Sequence, residues 1–333
     1  MSSVRDVVMI GAWLNASAFV RREFPQTPLD PIVAAARLDV RTLTAAAPTL
    51  LAAFVVVQVL LLVTVVRFRA RPGSPLPAPG SPATALWMLA PAILIALVLA
   101  VAPVLVAPGR SPAVSPSDPV RVTAIGHQWW WEFRYPQLGI VTAGEMHVPA
   151  GRAVMLTVEA ADMQHALWVP ALGVRRDAGP GRSSQFLFSA DTTGVFPGMC
   201  VQLCGTSHAN MRMKLFVDAP QDFAEWASAQ RMTAAPCDST DESPRLEGRA
   251  VFVEQPCSGC HTIAGLTTGV IGPDLTHFAS RTTLGGAVYD RTDAMLADWL
   301  RHAPEMKPGS TMPALKLDDR QVRALVAYLQ SLR

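Results

Sequence analysis

Two short runs of residues carry chemistry of their own. The first is Cys200-Val201-Gln202-Leu203-Cys204-Gly205-Thr206-Ser207-His208-Ala209-Asn210-Met211. It gathers two thiols, an imidazole and a thioether, soft or borderline ligands that select copper over calcium or magnesium. A second imidazole stands upstream in Asp162-Met163-Gln164-His165. A mononuclear blue-copper site takes one Cys, two His and a weak axial Met. The second thiol exceeds that need and suggests two coppers bridged by two sulfurs. A Cys200–Cys204 disulfide, open to an exported domain, would explain neither the His nor the Met. The second run is Cys257-Ser258-Gly259-Cys260-His261, the C-x-x-C-H signature of covalent c-type haem attachment. There the thiols form thioethers to the vinyl groups and His261 is the proximal iron ligand. A zinc site would need more Cys or His nearby, and a redox dithiol would not need the His.

The first run resembles the binuclear CuA loop of cytochrome c oxidase subunit II, Cys-x-Glu/Gln-x-Cys-x-x-x-His-x-x-Met. The resemblance implies that Cys200 and Cys204 bridge the coppers and that His165 and His208 are terminal ligands. It gives the weak axial places to Met211 and the backbone carbonyl of Gln202. At Gln202 the family often has a Glu whose side chain reaches a magnesium; a neutral amide is a poorer ligand for a hard cation, which argues against a magnesium site here. The stretch Gly126-His127-Gln128-Trp129-Trp130-Trp131 is similar to the family's Gly-His-Gln-Trp-Tyr/Phe-Trp. By that resemblance Trp129 is the surface point at which electrons arrive. Trp130 replaces the usual Tyr or Phe, His127 is structural, and Trp131 and Phe133 read as core. The likeness continues through Val169-Pro170, Leu172-Gly173 and Asp177-Ala178-Gly179-Pro180-Gly181. Asp162, Arg175, Arg176 and Asp177 either line an interface toward the large subunit or are solvated turn charges.

Beyond the haem signature, Gly272-Pro273-Asp274-Leu275 resembles the small-cytochrome turn whose Pro carbonyl orients the proximal His. Lys307-Pro308-Gly309-Ser310-Thr311-Met312-Pro313 resembles the distal-ligand loop, which implies Met312 as sixth ligand, with Met306 the competing choice. His277 and His302 read as surface or structural. Cys237, the odd cysteine of five, is a free thiol or pairs between chains.

These residues need elements to hold them. Half of the 333 residues are hydrophobic and only 16% are charged, which favours a membrane-embedded part beside soluble ones. Residues 1–41 form an N-terminal tail. Within it Val7 to Phe19 is mildly apolar and too short to span a bilayer, so it is a weak leader, a surface helix or the product of a mis-assigned start. Residues 42–110 read as a two-helix transmembrane hairpin. The first span lies between Arg41 and Arg67, and the second runs from Ala85 to Ala107 with kinks at Pro91 and Pro103. Arg67, Arg69 and Arg71 in the connecting loop place that loop in the cytoplasm and both chain ends outside. Leu86-Trp87-Met88-Leu89-Ala90-Pro91 is again similar to subunit II; Thr84 stands where the family commonly has Glu, and cannot ionise, which argues against proton delivery by this residue.

Residues 118–230 carry short β-type runs, Val120–Ile125, Val154–Val158, Gln185–Phe188 and Met213–Val217, which suggest a β-sandwich. The resemblance makes it a cupredoxin-like CuA domain. Residues 231–245 are a polar, Pro-bounded linker. Residues 246–333 read as an all-α class I cytochrome c domain. Its last helix has an apolar stripe at Val322, Leu325, Val326, Leu329 and Leu332 and an N-cap at Asp318, and crosses an opening helix, Leu246–Val253, near Gly248 and Phe252. The expected architecture is thus an α+β membrane protein.

Charge adds an exclusion. Residues 1–117 hold nine Lys/Arg against four Asp/Glu, residues 118–235 nine against ten, and the remainder ten against twelve. Neither soluble part is basic enough for nucleic acid. The resemblance implies an electron-transfer subunit of a haem–copper terminal oxidase in a bacterial inner membrane. Its partners would be subunit I and other oxidase subunits, with an external cytochrome c or other donor, and the oxygen-reducing site would be on the large subunit. The same wiring would serve a CuA-bearing nitric oxide reductase; a copper or haem assembly factor is a third reading. A quinol oxidase subunit would lack the copper ligands.

Overall fold

The computed structural model describes residues 32–67, 89, 118–232 and 244–333. The expected second membrane helix, the Pro-rich loop, Thr84, Cys237 and nearly all of the N-terminal tail and linker lie outside these residues. The described chain falls into two units, one holding helix α1 and the other holding residues 32–33 and everything from position 118 onward.

Helix α1 is Ala34–Arg67, starting eight residues before the expected boundary at 42 and running on through Pro48. Its stretch Leu50–Arg67 has a mean hydropathy of 2.6. At 1.5 Å per residue those residues extend about 27 Å, close to the ~30 Å of a bilayer's hydrocarbon core. Two of its threonine hydroxyls bond back to the helix: Thr44 Oγ1 donates to Arg41 O at 3.0 Å and, within the apolar run, Thr64 Oγ1 to Leu60 O at 2.7 Å, so the Thr64 hydroxyl is not left bare there.

The sandwich has ten strands: β1 Val120–His127, β2 Trp130–Tyr135, β3 Ile140–Ala143, β4 Glu145–Pro149, β5 Val154–Ala160, β6 His165–Val169, β7 Val174–Ala178, β8 Ser184–Phe188, β9 Gly194–Cys200 and β10 Arg212–Asp218. They form two five-stranded sheets, ordered β3-β2-β1-β5-β8 and β4-β10-β9-β6-β7. Pairing is antiparallel except for β1 with β5 and β4 with β10. Alternation decides which side chains turn inward: in β10 every second residue is buried, Met213, Leu215 and Val217. Trp131, Phe133, Tyr135, Met146 and Leu215 are fully buried. The Tyr135 hydroxyl is satisfied inside, donating to His147 O at 2.9 Å and accepting from His147 N at 2.8 Å. Helix α2, Pro220–Gln230, closes the sheet edge, with Trp226 stacked on His147 at 4.4 Å.

The C-terminal domain contains α3 Pro244–Glu254, the short turn α4 Cys257–Cys260, α5 Asp293–Met306 and α6 Asp319–Leu329. It is not wholly helical. Two-residue ribbons pair Thr262–Ile263 with Thr267–Thr268 and Thr283–Leu284 with Tyr289–Asp290. The first closes the chain after the C-x-x-C-H run, where Thr267 Oγ1 donates to His261 O at 2.7 Å. The expected crossing of first and last helices is present and very close: a Cβ on Gly248 would lie 2.0 Å from Ala324 O. Asp318 caps α6 in a reciprocal box with Gln321. The stripe expected on α6 is buried at Val322, Leu325, Leu329 and Leu332, and joined by Ala324 and Tyr328. His277 is buried, not at the surface, and His302 is exposed at a kink in α5.

Candidate functional site

The copper-type residues converge at one end of the sandwich. His165 opens β6, Cys200 ends β9, and the loop to β10 supplies Gln202, Cys204, His208 and Met211. Backbone bonds fix the frame: Cys200 N donates to Met211 O and Val201 N to Ala166 O, both at 2.9 Å. Cys200 Sγ lies 3.8 Å from Cys204 Sγ, 3.8 Å from His165 Nδ1 and 3.2 Å from Gln202 O. Cys204 Sγ lies 3.5 Å from His208 Nδ1 and 3.8 Å from Met211 Sδ. The sulfur separation excludes a disulfide, whose bond is about 2.05 Å. Two thiolates each about 2.3 Å from one metal can stand up to about 4.6 Å apart, so both sulfurs can share a metal. His165, Cys200 and Cys204 offer ligand atoms all within 4.8 Å of one another, and six donors of the expected types surround one small volume. The donor set therefore fits copper.

The surroundings tune this set. His165 is fully buried, and a Cβ on Gly126 of β1 would come 2.8 Å from its ring. Its Nε2 pairs with Asp162 Oδ1 at 2.7 Å, so Nδ1 faces the thiol; this is the carboxylate–histidine arrangement that orients a ligating imidazole. Asp162 thus has a definite structural task, also accepting from Gln128 N and Met163 N at 2.5 and 2.6 Å. Its place three residues before His165 was the available signal. Burial alone would depress the His165 imidazole, but Cys200 and Asp162 outweigh it and hold it above its ordinary value. Burial opposes ionisation at both thiols. At Cys200, hydrogen bonds with His165 and with the Ala166 and Gln202 backbone win and hold it below the usual thiol range. Burial and then the charge on Cys200 push Cys204 up to about 12. Arg175 Nη2 reaches Gln202 Oε1 at 3.2 Å and Asp177 Oδ1 at 2.8 Å, while Arg176 lies over Phe186.

The haem-type residues line a cavity of about 180 Å³. Cys257, Cys260, His261 and Met312 are among its walls; Met306 is not. His261 Nδ1 donates to Pro273 O at 2.8 Å, which leaves Nε2 as the ring's acceptor nitrogen. Burial holds this imidazole below the usual histidine range, which favours the neutral form that ligation requires. Arg281 also lines the cavity, is buried, and its Nε has no hydrogen-bond partner among the described residues. A haem would bring propionate acceptors for such a donor, so the cavity fits the group that the C-x-x-C-H run demands.

The two sites meet at Trp129, which is only 9% exposed. The expected surface location is therefore corrected: the C-terminal domain covers the indole. Trp129 Nε1 donates to Cys204 O at 2.8 Å. A Cβ on Gly309 in the Lys307–Pro313 loop would fall 2.7 Å from the same ring, and φ there is +85°, so only glycine fits both demands. Gln128, Trp129 and Trp130 form part of the cavity wall, and Trp130 is stacked on His127 at 4.3 Å.

Comparisons with known proteins divide the chain into the same two soluble parts. The family model "Cytochrome C oxidase subunit II, periplasmic domain" matches residues 140–217, and the model "Cytochrome c" matches residues 246–333. Cytochrome c oxidase subunit 2 of Bacillus sp. (strain PS3) is 32% identical over 266 residues, 74% of this chain and 73% of that one. The protein of the same name from Alkalihalophilus pseudofirmus is 35% identical over 215 residues, 64% of this chain; the match spans 61% of its length. A solved structure, the periplasmic domain of subunit II of cytochrome oxidase of Bradyrhizobium japonicum, is 32% identical, covering 35% of this chain and 96% of that one at a TM-score of 0.34. The chain belongs to the cytochrome c oxidase subunit 2 family and carries a cytochrome c domain at its C-terminal end.

Proposed function

We propose that this chain is the electron-transfer subunit of a haem–copper terminal oxidase. It would relay electrons from an external donor through its cytochrome c domain to a binuclear CuA centre and on to a large subunit that reduces oxygen to water. His165, Cys200, Cys204, His208, Met211 and the Gln202 carbonyl would hold the copper pair. Cys257, Cys260, His261 and Met312 would hold the haem. When bound, each group supplies a one-electron carrier, and a rigid sandwich rim asks little rearrangement of the ligands when the oxidation state changes.

The chain's own residues do the rest. The Asp162 carboxylate keeps the proton of His165 on Nε2 and so presents Nδ1. The Pro273 carbonyl does the same for His261 through the opposite nitrogen. Trp129 spans from Cys204 O to Gly309 in the loop bearing Met312. Helix α1, with a second membrane helix after it, would anchor the chain in a bacterial inner membrane, both ends on the outer face. The Gln202 amide speaks against a magnesium site of the kind its Glu counterpart serves.

The observation that carries this reading is the convergence of two thiols, two imidazoles and a thioether within one loop and its neighbouring strand. Electron spin resonance on the oxidised, full-length chain tests it. The unpaired spin should be spread evenly over two copper nuclei. Cys204→Ser should abolish that signal and the associated visible absorbance while the haem spectrum persists. A signal confined to one nucleus, or joint loss of both spectra, would overturn it.

A further inference from the structure

The boundary between the sandwich and the cytochrome c domain is fastened by buried polar groups that belong to neither set of expected ligands, although Thr283 and Lys307 also line the haem-type cavity. Glu145, the first residue of β4, is 2% exposed. A single oxygen of its carboxylate, Oε1, accepts from Thr282 N at 2.8 Å, Thr282 Oγ1 at 2.7 Å and Thr283 Oγ1 at 2.7 Å. All three donors belong to the other domain. Lys307, from the cytochrome c domain, is 4% exposed. It crosses back to donate to Trp129 O at 2.5 Å and to Gly285 O at 2.7 Å; an amine donates in either charge state. Ser207 of the copper loop adds a bond from Oγ to Pro308 O at 2.5 Å.

Buried charged groups add little net stability, because their desolvation offsets their pairing, but they tolerate few geometries. A carboxylate oxygen with three donors is satisfied in one docked pose, and a slide of a few ångströms leaves it dry and unpaired. Glu145 and Lys307 hold the two domains together at two separate points of the boundary, so together they fix orientation as well as distance.

We infer that Glu145 with Thr282 and Thr283, and Lys307 with the Trp129 carbonyl, form an interdomain latch that locks the cytochrome c domain in a single pose over Trp129. The domain is then a closed cover, not a donor diffusing on a tether, and an external donor meets this chain at the haem domain and not at the copper loop. Glu145 and Lys307 are positioning residues. This inference rests on the reading of two redox sites given above, but the latch can be read without either cofactor.

Two measurements on the full chain test it. Hydrogen exchange reports the Thr282 amide directly: it should be protected in the native chain. Glu145→Ala should lower that protection by roughly ten-fold or more, as expected for losing a hydrogen bond to a charged acceptor. Glu145→Gln, which keeps an oxygen acceptor, should largely retain it. In the loaded protein, haem-to-copper electron transfer after flash reduction should be independent of solvent viscosity. It should become viscosity-dependent in Glu145→Ala and in Thr282→Val with Thr283→Val, with both spectra unchanged. A native rate that already falls with viscosity, or a Thr282 amide unprotected in the native chain, overturns the latch. So does Glu145→Ala behaving as native; should that variant fail to fold, the double Thr variant decides in the same way. Absence of haem or copper from the native protein would instead sink the functional reading, and the exchange result would still decide the latch.

Discussion

Gly248→Ala sets two forces against each other in a helix whose geometry decides the winner. By helix propensity alone, alanine in a helix interior is favoured over glycine by about 1 kcal/mol. At this position the added methyl would lie 2.0 Å from Ala324 O, 2.5 Å from Ala324 C and 2.7 Å from Tyr328 Cβ. Two of these three atoms are backbone of α6, so relief requires the helices to part by more than an ångström. Overpacking typically costs about 1–3 kcal/mol, and a clash against backbone belongs at the upper end. The net expectation is destabilisation by roughly 2 kcal/mol once the propensity gain is subtracted. For a domain of this size each kcal/mol lowers the midpoint by about 4–8 °C, so the loss should be roughly 8–16 °C. Thermal unfolding of the cytochrome c domain, followed through the haem absorbance of the full chain, measures it. Arg249→Ala, one residue on and exposed, should stay within about 0.5 kcal/mol of the native chain. A Gly248→Ala midpoint equal to or above the native one would refute the reasoning, since propensity would then have prevailed and the crossing could not be so close.

Two further expectations concern the ligands. Met312→Ala should lower the haem potential, because thioether ligation raises it; an unchanged potential in a redox titration would move the ligand to Met306. Asp162→Ala frees His165 Nε2 of its 2.7 Å partner. Copper affinity, measured by competition with a chelator, should fall about 10- to 100-fold, the usual effect of removing such a carboxylate; native affinity would mean that the pair does not orient the ligand.

The candidate ligands were legible because the proposed chemistry demands particular residue types at short spacing. Cys200 through Met211 and Cys257 through His261 are each one loop or turn, so local sequence contains most of the donor pattern, and only His165 and Met312 had to be brought from afar. The last helix was equally plain, since Val322, Leu325 and Leu329 repeat at helical spacing and Asp318 caps it. Strands were legible where one face is polar, as in β10. β2 was not, because four of its residues are buried and alternation disappears. What stayed hidden was long-range. Glu145 and Thr282 are 137 residues apart, Trp129 and Lys307 178, and an isolated Glu or Lys gives no hint that another domain will bury it. The exposure of Trp129 was misread for the same reason: its environment depends on which surface the second domain covers.

A tether alone would raise the concentration of the haem domain near copper without choosing how it docks. The two soluble parts carry nearly balanced charge, so no strong field steers one onto the other. Orientation must then come from the contact itself. Apolar burial, which is non-directional, would hold the domains together in many rotations about the Trp129 ring. Hydrogen bonds are directional, and here they tie Glu145 to Thr282 and Thr283 and Lys307 to the Trp129 carbonyl, while glycine at 309 lets the loop lie flush against the ring. The polar boundary and the bare backbone at Gly309 are thus two halves of one solution: buried side-chain hydrogen bonds fix the angle, and the missing side chain lets the indole lie against the loop that bears Met312 while its Nε1 bonds Cys204 O.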